Sequence, residues 1–186
     1  MTEKIGLKKG TVELHPHSVE WEIEAERTLQ ELKSLLPHIV RAIAHVGSTS
    51  ILTIKAKPII DIALAVDSFK EILAYEELLL SHGYYYRQKN DQEEQILFAK
   101  GSFYNGTGEL QTHFIHVVLT DSKKWWEYIC FRDYLNEFPQ IAKQYEDLKI
   151  NISKDLGFDI SREKYLAGKG AFIKQITAEA LKYYRK

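Results

Sequence analysis

Cysteine is nearly absent from this sequence: Cys130 is the only one in 186 residues. That excludes an internal disulfide framework and a cysteine-built zinc cluster. No apolar run approaches the roughly 20 residues that a membrane-spanning helix needs. The opening residues, MTEKIGLKKG, lack the apolar core of a secretion signal. A reduced, soluble, cytoplasmic protein is the expectation, with no membrane partner. Proline is scarce, with four residues, and no Gly-, Ser- or Pro-rich linker interrupts the chain, so one domain over 1–186 is expected. An excess of either charge is missing as well. Lysine and arginine number 25 against 26 acids, a formal charge of −1. General nucleic-acid binding, which needs a strong basic field, is thereby disfavoured.

What is present is ordinary globular material, 45% hydrophobic and 27% charged. A chain of this size buries roughly 70% of its unfolded surface, enough for a sizeable core. Its charge is unevenly placed. Residues 13–36 carry six acids and two bases, and residues 162–186 carry seven bases and two acids. Two readings follow: solvated helix faces that face each other, or a basic end of which part faces an anionic ligand.

Helical spacing of Trp21, Ala25, Leu29, Leu32 and Leu36 after a Ser18 cap predicts a helix that Pro37 stops. Strands are predicted over about 40–46 and 59–66, the second apolar on both faces except at Asp61. Ser68 and Glu71 read as the capping box of one helix ending near His82-Gly83. Residues 84–88, 95–100 and 110–119 read as strands, with a glycine-containing turn over 101–108. From Ser122 the pattern is helical: one helix over 122–136, one from Pro139, and one capped by Ser161, with Ile160 and Tyr165 as a hydrophobic staple, running to about Tyr184. The order predicts an α/β (α+β) fold, a small mixed sheet flanked by helices with a helical C-terminal part from about 122.

The chemistry concentrates in His45-Val46-Gly47-Ser48-Thr49-Ser50 and, after a loop, Lys57-Pro58-Ile59-Ile60-Asp61. Gly47 lets backbone approach a ligand closely. The hydroxyls of Ser48, Thr49 and Ser50 suit phosphate oxygens, or else cap a following helix within a plain loop. Asp61, alone in an apolar strand, needs a metal or a basic group; the other reading is a structural carboxylate bonded to Lys57 or to backbone. Lys57 pairs with Asp61 or with a phosphate. His45 orients the turn or simply packs. In an unbulged strand His113 and His116 point to opposite faces, so they cannot ligate one ion. His116 is placed near the site, or is a hydrogen-bonded core histidine.

These residues carry a resemblance. Gly-Ser followed by Asp on the next strand is similar to the signature of the nucleotidyltransferase fold, and HVGSTS with KPIIDI resembles the GrpB family of that superfamily. HFIHVV at 113–118, FRDYL at 131–135, Tyr145 with LK at 148–149, and Tyr165, Lys169 and Phe172-Ile173 extend it from about Val12 to Ile173. The resemblance implies a nucleotidyltransferase-like fold, a turn that grips nucleotide phosphates, and Asp61 on a divalent metal, Mg²⁺ or Mn²⁺. Where that superfamily carries a second acid two residues on, this chain has Ala63, and its third candidate strand offers histidine. Imidazole suits Mn²⁺, Zn²⁺ or Fe²⁺ better than Mg²⁺.

The last helix adds a clue independent of the resemblance. At 100° per residue, Lys169 falls within the apolar face made by Tyr165, Phe172, Ile173, Ile176 and Ala180, between Gly168 and Gly170. An inward lysine needs an anion; a snorkelling side chain is the other reading. The glycines would admit a neighbouring backbone or a ligand. Lys149 lies at the edge of its own helix's apolar face. Arg132 and Asp133 read as a structural ion pair, and Cys130 as core.

Three functions follow. The first is transfer of a nucleotidyl group from a nucleoside triphosphate to a small acceptor, with Asp61, His116 and Lys169 catalytic, Asp61 and His116 on metal, and Gly47, Ser48, Thr49, Ser50 and Lys57 on phosphate. The second is a module that only binds a nucleotide or other phosphorylated small molecule. The third is a structural or partner-binding protein.

Overall fold

The computed structural model describes residues 5–8, 11–101, 110–155 and 162–185. The expected turn at 101–108 beyond Gly101, the Ser161 cap and the Ile160 staple lie outside them. The elements run β1 (Leu7–Lys8), α1 (Val19–Leu35), β2 (Ala42–Val46), β3 (Ile60–Val66), α2 (Phe69–Leu73), α3 (Glu76–Ser81), β4 (Tyr84–Tyr86), β5 (Gln95–Lys100), β6 (Leu110–Gln111), β7 (His113–Leu119), α4 (Lys123–Glu137), α5 (Pro139–Asp155) and α6 (Arg162–Tyr184). The main sheet has the order β2-β3-β7-β5-β4, and β1 pairs with β6 in a separate ribbon. β3 and β7 are parallel; the other pairs of the main sheet are antiparallel. The mixed α/β class expected from the sequence is the class observed.

Period-2 alternation sorts the strands into two cores. Ile60, Ile62, Leu64, Val66, Ile115 and Val117 face α1, which covers them with Trp21, Ala25 and Leu32. Val46, Ala63, Ala65 and Val118 face the other way, onto Trp125 of α4. A third cluster ties Ile51 and Ile54, just after the Gly-Ser turn, to Phe131, Leu135, Ala142, Tyr145 and Ile176 of α4, α5 and α6. The turn therefore sits where the sheet meets the helical back.

Several expectations are corrected. The helix over 68–82 is two short helices. The Tyr75 N–H bonds to the Ile72 carbonyl three residues back (2.9 Å), a tight turn that tucks the Tyr75 ring against the main core. Ser68 accepts from the Lys70 N–H, so the cap forms one residue earlier than a capping box would place it. The strand over 110–119 breaks at Thr112, whose N–H bonds to Lys100 O and whose carbonyl accepts from Ile60 N (2.9 Å each). α6 packs on α4 and α5, so the acidic α1 and the basic α6 lie on opposite sides of the sheet and do not face each other. Gly168 does bring α6 close to α5, since a Cβ there would lie 2.9 Å from Ile152 Cδ1, but Gly170 faces open space. Among the described residues no helix is long and apolar enough to cross a membrane.

Gly170→Ala should raise stability by about 0.5–1 kcal/mol, because it removes a helix-interior glycine without a clash. Leu64→Ala, at a fully buried position, should lower it by about 2–5 kcal/mol. Urea unfolding midpoints of the two variants check both signs.

Candidate functional site

The β2–β3 register sets Val46 opposite Asp61, so the next residue, Gly47, turns directly over the carboxylate. A Cβ on Gly47 would lie 2.5 Å from Asp61 Oδ2 and 2.8 Å from Asp61 Cβ, and its φ is +72°. Close approach and backbone conformation both require glycine. Ser48–Ser50 then form one 3-10 turn, closed by the Ser50 N–H and the Ser50 hydroxyl, both on Gly47 O (3.3 and 2.7 Å). The Thr49 hydroxyl donates to Ile59 O (3.4 Å) and, with the proton on Nε2 of His45, accepts from that ring (2.9 Å). Thr49 and Ser50 are buried and their hydroxyls are engaged within the turn. Ser48 is half-buried, and its hydroxyl faces the Tyr145 hydroxyl of α5 (3.4 Å).

His45 is the brace behind this turn. Burial drives its pKa down to about 4; the Arg132 guanidinium pushes the same way and Asp61 partly offsets the fall. Arg132 also donates to His45 O (3.0 Å) and pairs with Asp133 (2.7 Å), a structural arrangement at the end of β2.

Parallel pairing of β3 and β7 aligns Asp61 with Phe114, which puts His116 on Asp61's face. His116 Nε2 lies 3.0 Å from Asp61 Oδ1. Nδ1 is buried with no hydrogen-bond partner among the described residues. The proton of the imidazole is best placed on Nε2, facing the carboxylate. His113 points to the opposite face, where it meets Thr28 (3.1 Å) and Glu24 (3.3 Å). Ala63, two residues beyond Asp61, is fully buried against the α4 side. The place of a second acid is filled by apolar packing. Among the described residues no three His, Cys, Asp or Glu side chains could together hold a metal ion. Asp61 and His116 supply two donors, a set that fits an ion only when the ligand's own phosphates complete its shell.

Three lysines gather around Tyr145 and Tyr165. Lys57, in the loop before β3, sets its ammonium 4.7 Å from the centre of the Tyr165 ring, and Lys169 sets its own 5.3 Å from the same ring. Tyr165 is buried, as is Tyr145, whose ring stacks on Phe172 at 5.5 Å. Lys149 completes the group. It is 1% exposed, lies 4.6 Å from the Tyr145 ring centre and donates to Lys55 O (2.6 Å). Burial first, with the charges of Lys169 and Lys57, holds its pKa down at about 7 against the opposing pull of Glu146. Sequence reasoning placed Lys149 at the edge of an apolar face and gave it no role. The available signal was its spacing from Tyr145, i to i+4, with an adjacent acid at Glu146.

A mixed sheet carrying a Gly-Ser turn after one strand and an acid on the next is a nucleotidyltransferase-type fold. Residues 11–179 match the profile of the GrpB protein family, and the chain belongs to that family. It is 35% identical to the glutamate-rich protein GrpB of Alkalihalophilus pseudofirmus over 94% of this chain and 99% of that one. With the protein YqkA of Bacillus subtilis it shares 32% identity over 92% of this chain and 47% of the relative, so it spans about half of that protein. A crystal structure of GrpB from Enterococcus faecalis superposes with a TM-score of 0.83 at 30% identity, over 94% of this chain and all of that one. The Cid1 poly(U) polymerase in its MgGTP-bound form matches with a TM-score of 0.50 at 15% identity, over 72% of this chain and 42% of that one, a likeness of fold alone.

Gly47→Ala should destabilise by about 1–3 kcal/mol by displacing Asp61, read as a lowered urea midpoint. Between pH 6.5 and about 4 the unfolded chain binds a proton at His45 that the folded protein does not. Stability from this group is complete above pH 6.5 and falls as pH drops through that window. Unfolding at pH 4.5 and 7 should show a smaller acid loss in His45→Gln than in the parent.

Proposed function

We propose that the protein binds the phosphate chain of a nucleoside triphosphate, with the Ser48 hydroxyl on one side and Lys57 and Lys169 on the other. The observation that carries this reading is the pairing of two lysines from distant segments over one buried tyrosine, beside the turn that faces Tyr145. Like charges gathered in a half-buried place favour a polyanionic ligand. Gly47, Thr49 and Ser50 shape and hold the turn. A smaller phosphorylated metabolite would engage the same groups with fewer contacts.

The Asp61–His116 pair favours a second reading built on the first, transfer of a nucleotidyl group. An acceptor hydroxyl would attack the α-phosphorus and lose its proton to solvent, a new P–O bond would form, and pyrophosphate would depart with the broken P–O bond's electrons. Lys57 and Lys169 would take up the charge on the leaving pyrophosphate. Asp61 and His116 would hold Mg²⁺ or Mn²⁺ together with the ligand, and an ion so bound supplies charge neutralisation at the phosphates. To hold the ion through Nε2, the nitrogen that faces Asp61, His116 would carry its proton on Nδ1 instead.

Thermal shift with ATP, GTP, CTP and UTP, each with and without Mg²⁺ or Mn²⁺, tests binding. A rise in Tm is expected with at least one, and Lys169→Ala should weaken its affinity about tenfold or more. No shift with any of the four would remove the reading. Pyrophosphate release that Asp61→Asn abolishes without abolishing binding would establish transfer; binding without release would leave the module alone.

A further inference from the structure

Lys149 is the one lysine of the group shut away from solvent, at 1% exposed. Lys57, from the loop before β3, and Lys169, from α6, act against its charge, and Glu146 on its own helix favours it. Tyr145 lies beneath it and Lys55 O accepts from it. Glu146 is itself engaged, by Lys143 (2.7 Å) and by the Lys55 N–H (2.7 Å). Three amines thus bear on one another around Tyr145 and Tyr165.

Resting on the phosphate reading above, we propose that Lys149 is a third, proton-gated member of the phosphate subsite, which takes up a proton when the triphosphate arrives between Lys57 and Lys169. The physical cause is linkage. A polyanion beside the lysines cancels their mutual repulsion and favours the charged form of the buried amine. The free protein holds Lys149 at a pKa of about 7, so near pH 8 the site is one positive charge short, and binding supplies it. Affinity then depends on pH where the ligand's own phosphates no longer titrate, since their last pKa is about 6.

The test is isothermal titration of the ribonucleoside triphosphate that raises Tm, at pH 8.0, in two buffers of different ionisation enthalpy. About one proton taken up per ligand is expected, with affinity falling about tenfold per pH unit between pH 7 and 9. Lys149→Met and Lys149→Gln, the second keeping an N–H for Lys55 O, should bind with no uptake and a flat pH profile. Lysine ε-¹³C NMR of the unmodified protein needs no variant: a lysine titrating near 7 should move above 9 with ligand. Ligand binding without proton uptake, or uptake that persists in both variants, overturns this proposal and leaves the phosphate reading intact. If none of the four triphosphates binds at any pH, both fall together. A purely structural Lys149, pinning Lys55, would change Tm and leave the proton count at zero.

Discussion

The close contact between the Gly47 backbone and the Asp61 carboxylate is the constraint on which the polar end of this molecule depends. β3 is otherwise an interior strand, with Ile60, Ile62, Ala63 and Leu64 wholly buried. A carboxylate can remain half-buried there only because the strand beside it ends at Val46 and the chain folds back over it without a side chain. That fold-back fixes the 3-10 turn, sends Ile51 and Ile54 into the helical cluster, and leaves Ser48 opposite Tyr145. The sheet and the three C-terminal helices are joined through this corner.

The alternation of β7 keeps two polar systems apart. On the α1 side, His113 is closed off among Thr28, Thr112 and Glu24. The hydrogen bond from His113, helped by Arg27, holds Glu24 down at about 2 despite its burial. Nearby, Lys100 and the Tyr84 hydroxyl both meet Glu31. These charges satisfy one another within the fold. On the opposite face His116 has, among the described residues, a single carboxylate partner and one sealed nitrogen. Two histidines three residues apart thus belong to unrelated surroundings, as the pleat of one strand requires.

Much of the architecture was legible in the sequence because local signals agreed with tertiary ones. Ser18 and Ser122 cap where a polar residue precedes a periodic apolar run, and β3 reads as buried because it is. The site was legible in part: Gly47 and Asp61 stand out because glycine and a lone acid are costly in those settings. The split of the helix at Tyr75 and the break at Thr112 were hidden, since each depends on a partner distant in sequence or on a ring finding space in the core. The engagement of Thr49 by His45 was hidden for the same reason. Lys149 was hidden because burial of a long side chain depends on Lys55 and the two neighbouring lysines, which only the fold assembles.

The placement of acidic α1 and basic α6 on opposite sides of the sheet gives the molecule an electrical axis despite a formal charge of only −1. A multiply charged anion diffusing toward it meets repulsion at one pole and attraction at the other, and is turned toward the lysine-bearing helices before any contact forms. This long-range guidance fades within about 8 Å of screened distance at physiological ionic strength. Attraction at that range is therefore more sensitive to salt than contacts made inside the protein.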